Sequence, residues 1–359
     1  MKVQLFLALA SVSLLFTSSA TGCGSGESAG PELQNITQDS LAADAESDDS
    51  FGGSVRIAWF GNTPDNNYDN ASLNGAIDGA RRGHSTVRPF YCQYDPKTQL
   101  DQCLSAVRSR SFDAFLIDAN DGVGIIPCVQ SAASRGISVV AVDLPIGSDP
   151  ASIQPQVRGQ DGAVLTPAAK FGDTLVTVVS DLCGRLGKCN LVYLAGSLGI
   201  NYDIIAIQGL QGLLPTHQNI QIVSIQEALY DQATARTIMQ GILAQTHDIQ
   251  VVIAGGDQMA RGAEEALAAA GPLPNPVKII GGGAGAYAVD AVRAGRWYGT
   301  FVTLPFDEGE LAAQMAIRAA RRQRLKVRGI DPVVNRNLPA FLTADNLAAF
   351  AQFTPQWPG

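Results

Sequence analysis

Histidine is the scarcest of the chemistry-bearing residues: the 359-residue chain has three, His84, His217 and His247, far apart in sequence. No two stand at metal-ligand spacing, so they read as side chains in or near surface turns and no metal site is expected. The chain also lacks a nucleophile elbow, a P-loop and an HExxH helix, which removes the commonest written forms of hydrolase and nucleotide chemistry. GGGAGAY at 281–287 follows a strand and opens a helix, but it comes late and lacks the acidic residue expected about 20 positions on. No dinucleotide, and no other cofactor, is therefore expected. Positive charge is short as well, with 25 Lys and Arg against 33 Asp and Glu and a formal net charge of −8. Such a chain has little with which to displace counterions from a phosphate backbone, which excludes nucleic acid as a partner. The one basic run, RAARRQRLKVR at 318–328, reads as a solvated helix end. Past the first residues there is no apolar run long enough to cross a membrane.

What is present begins with an export leader. MKVQLFLALASVSLLFTSSATGC has Lys2, an apolar stretch from Leu5 to Phe16 too short for a stable span, and small residues before Cys23. Ala20-Thr21-Gly22-Cys23 resembles a bacterial lipobox, in which Cys23 would be the lipid anchor; an ordinary secretion signal is the alternative. Residues 24–53 are acidic, rich in Ser and Gly and poor in large apolar side chains, the composition of a disordered tether. Export makes disulfides expected among the remaining five cysteines. Cys183 and Cys189 bracket a short turn, and Cys103 and Cys128 sit on successive helices. That pairing leaves Cys92 free, with a Cys92–Cys103 bond still open.

With 46% hydrophobic residues the chain can bury more than one core. From residue 54 short apolar runs alternate with helical patterns: VRIAWF, VRPFYCQ, FDAFLID and ISVVAVD in a first series, then NLVYLAG, IQIVSIQEA, IQVVIAG, VKIIGGG and WYGTFVTL in a second. Alternation of this kind predicts an α/β fold of two tandem Rossmann-like lobes with parallel sheets. Ligands of open parallel sheets bind beyond the carboxyl ends of the strands. The polar residues there are Asn66, Asn67, Asp69 and Asn70, then Asp118, Asp143, Asn201, Asp203, Tyr230 and Asp257. For each of them a helix cap or a turn is the competing role.

An ordered set of motifs, among them NNYDNASLNGA, FDAFLIDANDG, RGISVVAVD, GGDQMARGAEEAL, KIIGGGAGAYAVDAVRAGRWYGT and LPFDEGELAAQMA, resembles the type I periplasmic solute-binding proteins of the ribose- and galactose-binding group that serve ABC importers. The likeness runs from about residue 54 to 325. It implies a multi-strand hinge near 157–162, 301–305 and 325–332, with a first lobe over 54–158 to which 304–325 return. The second lobe would cover 159–303, and 326–359 would form a hinge crossover and tail. By position, Asn67 matches the family's first-strand sugar-binding Asn, Asp143 its sugar-binding Asp and Tyr230 its stacking aromatic. Asp257 keeps the late strand-end Asp, while Gly256 replaces the Asn before it. Other positions depart from the pattern: Asp69 and Asn70 stand for two aromatics, Asp118 for an Asn and Leu144 for an Arg. The second-lobe Arg falls near Ile204, Gly283 replaces an Asp and Thr303 the hinge Gln. The resemblance thus implies a non-enzymatic, monomeric binder of a small polar molecule, most simply a sugar or polyol, held at the periplasm or bacterial cell surface and partnered by a permease. A sensory receptor of the same fold is a second class. An exported glycosidase is a third, disfavoured because no carboxylate pair is singled out by spacing.

Overall fold

The structure, a computed structural model, describes residues 53–359. The leader, Cys23 and the acidic segment up to residue 52 lie outside the described residues. The first lobe is built from β1 (Arg56–Gly61), α1 (Asn67–Arg82), β2 (Thr86–Tyr91), α2 (Pro96–Ser109), β3 (Ala114–Ile117), α3 (Ile126–Ser134), β4 (Ser138–Val142) and β5 (Gly162–Val164). The second contains α4 (Ala168–Cys183), β6 (Cys189–Ala195), α5 (Asn201–Leu213), β7 (Ile220–Glu227), α6 (Gln232–Leu243), β8 (Val251–Ala254), α7 (Asp257–Ala270), β9 (Lys278–Gly283), α8 (Ala286–Arg293) and β10 (Gly299–Val302). Then follow α9 (Pro305–Ala320), β11 (Gly329–Ile330), α10 (Pro332–Asn335), β12 (Phe341–Thr343) and α11 (Ala344–Leu347).

Each lobe holds a six-stranded sheet, ordered β11-β5-β4-β3-β1-β2 in the first and β12-β10-β9-β8-β6-β7 in the second. All pairings are parallel except β10 with β12. Strands β3, β4, β6 and β8 are buried along their whole length, because helices cover both faces; this is why they read as unbroken apolar runs rather than alternating ones. In both sheets the order reverses beside the first strand of the lobe, between β1 and β3 and between β6 and β8. Such a reversal opens a crevice at the strands' carboxyl ends, and the two crevices face each other.

The chain passes between lobes three times, after β5, after β10 and after β11. The first passage differs from the sequence expectation. Gly162–Val164 pairs with Val140–Val142 and with Gly329–Ile330, so it closes the first sheet and the lobe boundary lies after Val164 rather than at 158. A three-residue strand has no period to read, and only its pairing reveals it. Residues 326–359 also do more than cross the hinge, since β11 completes the first sheet and β12 the second.

Helix α9 returns to the first lobe and lies against α1, with Leu73, Ala76 and Ala80 sharing a core with Leu311, Ala312 and Ala313. Glycine makes the approach this close. A Cβ on Gly75 would stand 1.9 Å from the Phe306 carbonyl oxygen, and one on Gly309 1.8 Å from that of Ser72. This contact carries Glu308 to the tyrosine of the first turn of α1. The disulfides Cys103–Cys128 and Cys183–Cys189 are formed and Cys92 is buried and free, which closes the Cys92–Cys103 alternative.

Candidate functional site

The crevices meet in a partly open cavity lined by residues of both lobes, where open parallel sheets bind their ligands. The first lobe supplies an acidic floor. Asn66 caps α1 by accepting from the Tyr68 amide at 2.8 Å, which places Tyr68 and Asp69 in the first turn, facing inward. Asp69 accepts from the Thr63 amide at 3.0 Å, and burial lifts its carboxyl to about 7 against the pull of that bond. Asp143 follows β4 with φ +61°, a left-handed conformation that turns its side chain into the cavity. Burial raises its carboxyl to about 6, with a hydrogen bond from Tyr68 acting the other way.

The Tyr68 hydroxyl lies 3.1 Å from Asp143 Oδ1 and 3.1 Å from Glu308 Oε2. A phenol has one proton to give, so both contacts are hydrogen bonds only if one of the acids donates. Glu308 is that acid: it is wholly buried, and desolvation, followed by repulsion from Asp143, holds its carboxyl well above the usual range. A protonated Glu308 donates to Tyr68, which donates to an ionised Asp143.

The walls are aromatic. Tyr94 of the first lobe stacks against Tyr230 of the second with centroids 6.1 Å apart, and Tyr68 meets Trp357 edge-on at 5.5 Å. Phe171 packs on Phe301 at 4.3 Å and on Tyr202 at 5.2 Å, and the Tyr202 hydroxyl donates to the Thr166 carbonyl in the first crossover. Trp357 comes from the tail. Its backbone carbonyl accepts from Ala286 N and its indole donates to the Gly283 carbonyl at 2.9 Å. Gly283 sits at φ +130°, and a Cβ there would lie 2.3 Å from the indole, so a glycine is required for the ring to enter.

Comparison with known proteins gives this two-lobed cleft its context. Residues 57–324 match the family described as periplasmic binding protein domain. The chain belongs to that family. Among curated relatives of this periplasmic binding protein are a D-apiose import binding protein of Actinobacillus succinogenes, 25% identical over 64% of this chain and 71% of the relative, and a ribose import binding protein of Bacillus subtilis, 26% identical over 57% and 62%. A xylitol-binding protein of Mycolicibacterium smegmatis is 28% identical over 70% of this chain and 67% of its own. These relatives are binding proteins, not enzymes. The fold agrees with a solute-binding protein of Bacillus halodurans bound to myo-inositol, with TM-score 0.70 at 20% identity over 84% of this chain and 99% of the other. It agrees equally with one from Mycobacterium smegmatis bound to glycerol, with TM-score 0.71 at 23% identity over 86% and 100%.

Within this periplasmic binding protein the residues singled out in sequence divide into two groups. Asn66, Asp69, Asp143, Tyr230 and Thr303 line the cavity, as do Leu144 and Gly283. The others stand elsewhere. Asn67 is exposed and yields the cavity-facing position to Asn66, and Asn70 donates to the Pro64 carbonyl at 2.8 Å. Asp118 lies behind Asn62, which donates to it at 2.9 Å. Asn201 opens α5 without lining the cavity, whereas Ile200 and Tyr202 on either side of it do. Asp203 is buried under four donors, Tyr193 Oη, Gly196 N, Ser197 N and Tyr230 Oη, at 2.7 to 3.2 Å, and it ties down the turn after β6. Asp257 does not face the cleft: it is fully buried and accepts from Gly285 N at 2.7 Å and Thr300 Oγ1 at 2.8 Å, joining the ends of β8, β9 and β10. Strand-end position was the right neighbourhood but does not distinguish a side chain aimed at the cleft from one aimed at the next turn. The aromatics Tyr68, Tyr94, Phe171, Tyr202, Phe301 and Trp357 were not singled out. Tyr68 was within reach, since it adjoins Asp69 two residues after the capping Asn66; Trp357, well past the last matching motif, carried no signal. Among the described residues no group of His, Cys, Asp and Glu could hold a metal ion, and no helix is long and apolar enough to cross a membrane.

Proposed function

We propose that this chain captures a small polyhydroxylated molecule, a sugar or polyol, by closing its two lobes and delivers it to the permease of an ABC importer. The observation that carries the reading is that aromatic pairs from both lobes and the Asp69 and Asp143 carboxylates line one cavity. Apolar ring faces suit the C–H faces of a sugar, and carboxylates accept from its hydroxyls. The relatives named for import of apiose and ribose and for binding of xylitol support the same class. The protein acts as a monomer outside the cytoplasm, exported by its leader and held to the membrane through a diacylated Cys23.

A thermal-shift screen of the full-length protein against pentoses, hexoses, inositols and linear polyols tests the capture step. A saturable rise in melting temperature with one or more of them is expected, and no shift with any at millimolar concentration rejects the reading. Mass spectrometry of the mature N-terminus tests the anchor. A diacylglyceryl-modified Cys23 is expected, and an unmodified terminus downstream of it rejects the attachment.

A further inference from the structure

The cavity is strongly one-sided in charge. Asp69 and Asp143 line it, and among the described residues no Lys, Arg or His does. The cations packed near the hinge are committed elsewhere, Lys170 to Asp331 at 2.9 Å and Arg336 to Asp307 at 2.7 Å. Tyr68 reaches only Oδ1 of Asp143, which leaves Oδ2 for an occupant of the cavity. Gln258, another lining residue, gives its amide N–H to the Tyr230 carbonyl, and its buried Oε1 has no partner. The acceptors presented to the cavity thus outnumber the protein donors that could satisfy them. The rings of Tyr94, Tyr230 and Trp357 line the same cavity, and aromatic rings attract cations.

We infer that the occupant carries a protonated nitrogen, as an amino sugar or amino polyol does, with its ammonium against the Asp143 carboxylate and beside the aromatic walls. This rests on the sugar-or-polyol reading of the same cleft and adds the charge of the ligand. An ammonium brings three donors and one positive charge, which is what an anionic, acceptor-rich and Arg-free cavity lacks. A hydroxyl in the same place brings one donor and no charge. The raised Asp143 value of about 6 still leaves this carboxylate mostly ionised at neutral pH, because Tyr68 donates to it.

Matched pairs separate charge from shape. Calorimetric titration of the full-length protein at pH 7.5 would compare glucosamine with glucose, galactosamine with galactose, and 1-amino-1-deoxysorbitol with sorbitol. In at least one pair the amino member should bind about tenfold to a hundredfold more tightly, the range expected for a hydrogen bond to a charged group. In Asp143→Asn that ratio should fall to within about threefold of one, while circular dichroism and the melting temperature report that the variant is folded. Equal or tighter binding of the neutral members overturns the charge inference and leaves the sugar reading standing. Binding of none of the six compounds counts against both. A preference that survives in folded Asp143→Asn overturns the assignment of the ammonium to this carboxylate.

Discussion

Asp143 and Asp257 both follow a buried parallel strand, yet one is a cleft acid and the other a structural strut. The difference is backbone direction. Asp143 takes a left-handed turn into the cavity, whereas Asp257 is the first residue of α7 and points at the Gly285 amide and the Thr300 hydroxyl. Removing Asp257 strands two buried donors, each costing about 1–3 kcal/mol, so Asp257→Ala should lower ligand-free stability by about 2–6 kcal/mol, while Asp143→Ala, which strands at most the half-buried Tyr68 hydroxyl, should cost less, about 1–3 kcal/mol. Urea denaturation of both variants checks this, and equal stabilities would reject the distinction. The pH dependence follows from the same burial. Desolvation raises the Asp257 carboxyl from its ordinary value to about 7 in the fold. Its contribution is therefore fully present below about pH 4 and is lost as pH rises from there to about 7, where the unfolded chain has released a proton that the native state retains. The slope is at most about 1.4 kcal/mol per pH unit. Asp257→Asn should remove that component, so the difference in stability between parent and variant should shift between pH 4.5 and 6.5 and be constant above 8.

The elements that sequence made legible are those with periodicity. The long buried strands fall where the apolar runs put them, and the helices after β1, β2 and β7 open in the structure on the capping side chains of Asn66, Asp95 and Asp231. The short strands β5, β11 and β12 exist only because a partner strand supplies their hydrogen bonds. The expected pairs Cys103–Cys128 and Cys183–Cys189 came from cysteines on successive or adjoining elements, with Cys92–Cys103 left open, and both expected pairs are formed. Cys103–Cys128 closes 25 residues and Cys183–Cys189 closes 6. Loop-closure entropy then predicts losses of about 3.5 and 2 kcal/mol when each pair is replaced by alanine. Chemical denaturation of the two double variants should show the longer loop costing more; the reverse order would place the effect in native packing.

Across the whole molecule, the two lobes touch over the cavity through Tyr94 with Tyr230 and Tyr68 with Trp357, and they are joined by three crossovers. A ligand that contacts both lobes favours the closed arrangement by whatever it gains there and not in the open one. At 100 times its dissociation constant it should add about 2.7 kcal/mol to stability and reduce the radius of gyration measured by small-angle X-ray scattering; an unchanged radius would reject closure. The sequence by itself determined the α/β class, the tandem lobes and the family, because each is carried by period or ordered motifs along the chain; it narrowed the cysteine pairing but left Cys92–Cys103 open until the structure showed Cys103–Cys128. It placed Asp69, Asp143, Tyr230 and Thr303 at the cleft by strand-end position and resemblance. Only the tertiary structure decided that Asp203 and Asp257 are struts, that Gly162–Val164 belongs to the first sheet, and that Trp357 enters the site through the space at Gly283. Those outcomes depend on backbone direction at single residues and on contacts between segments remote in sequence, and neither leaves a local pattern to read.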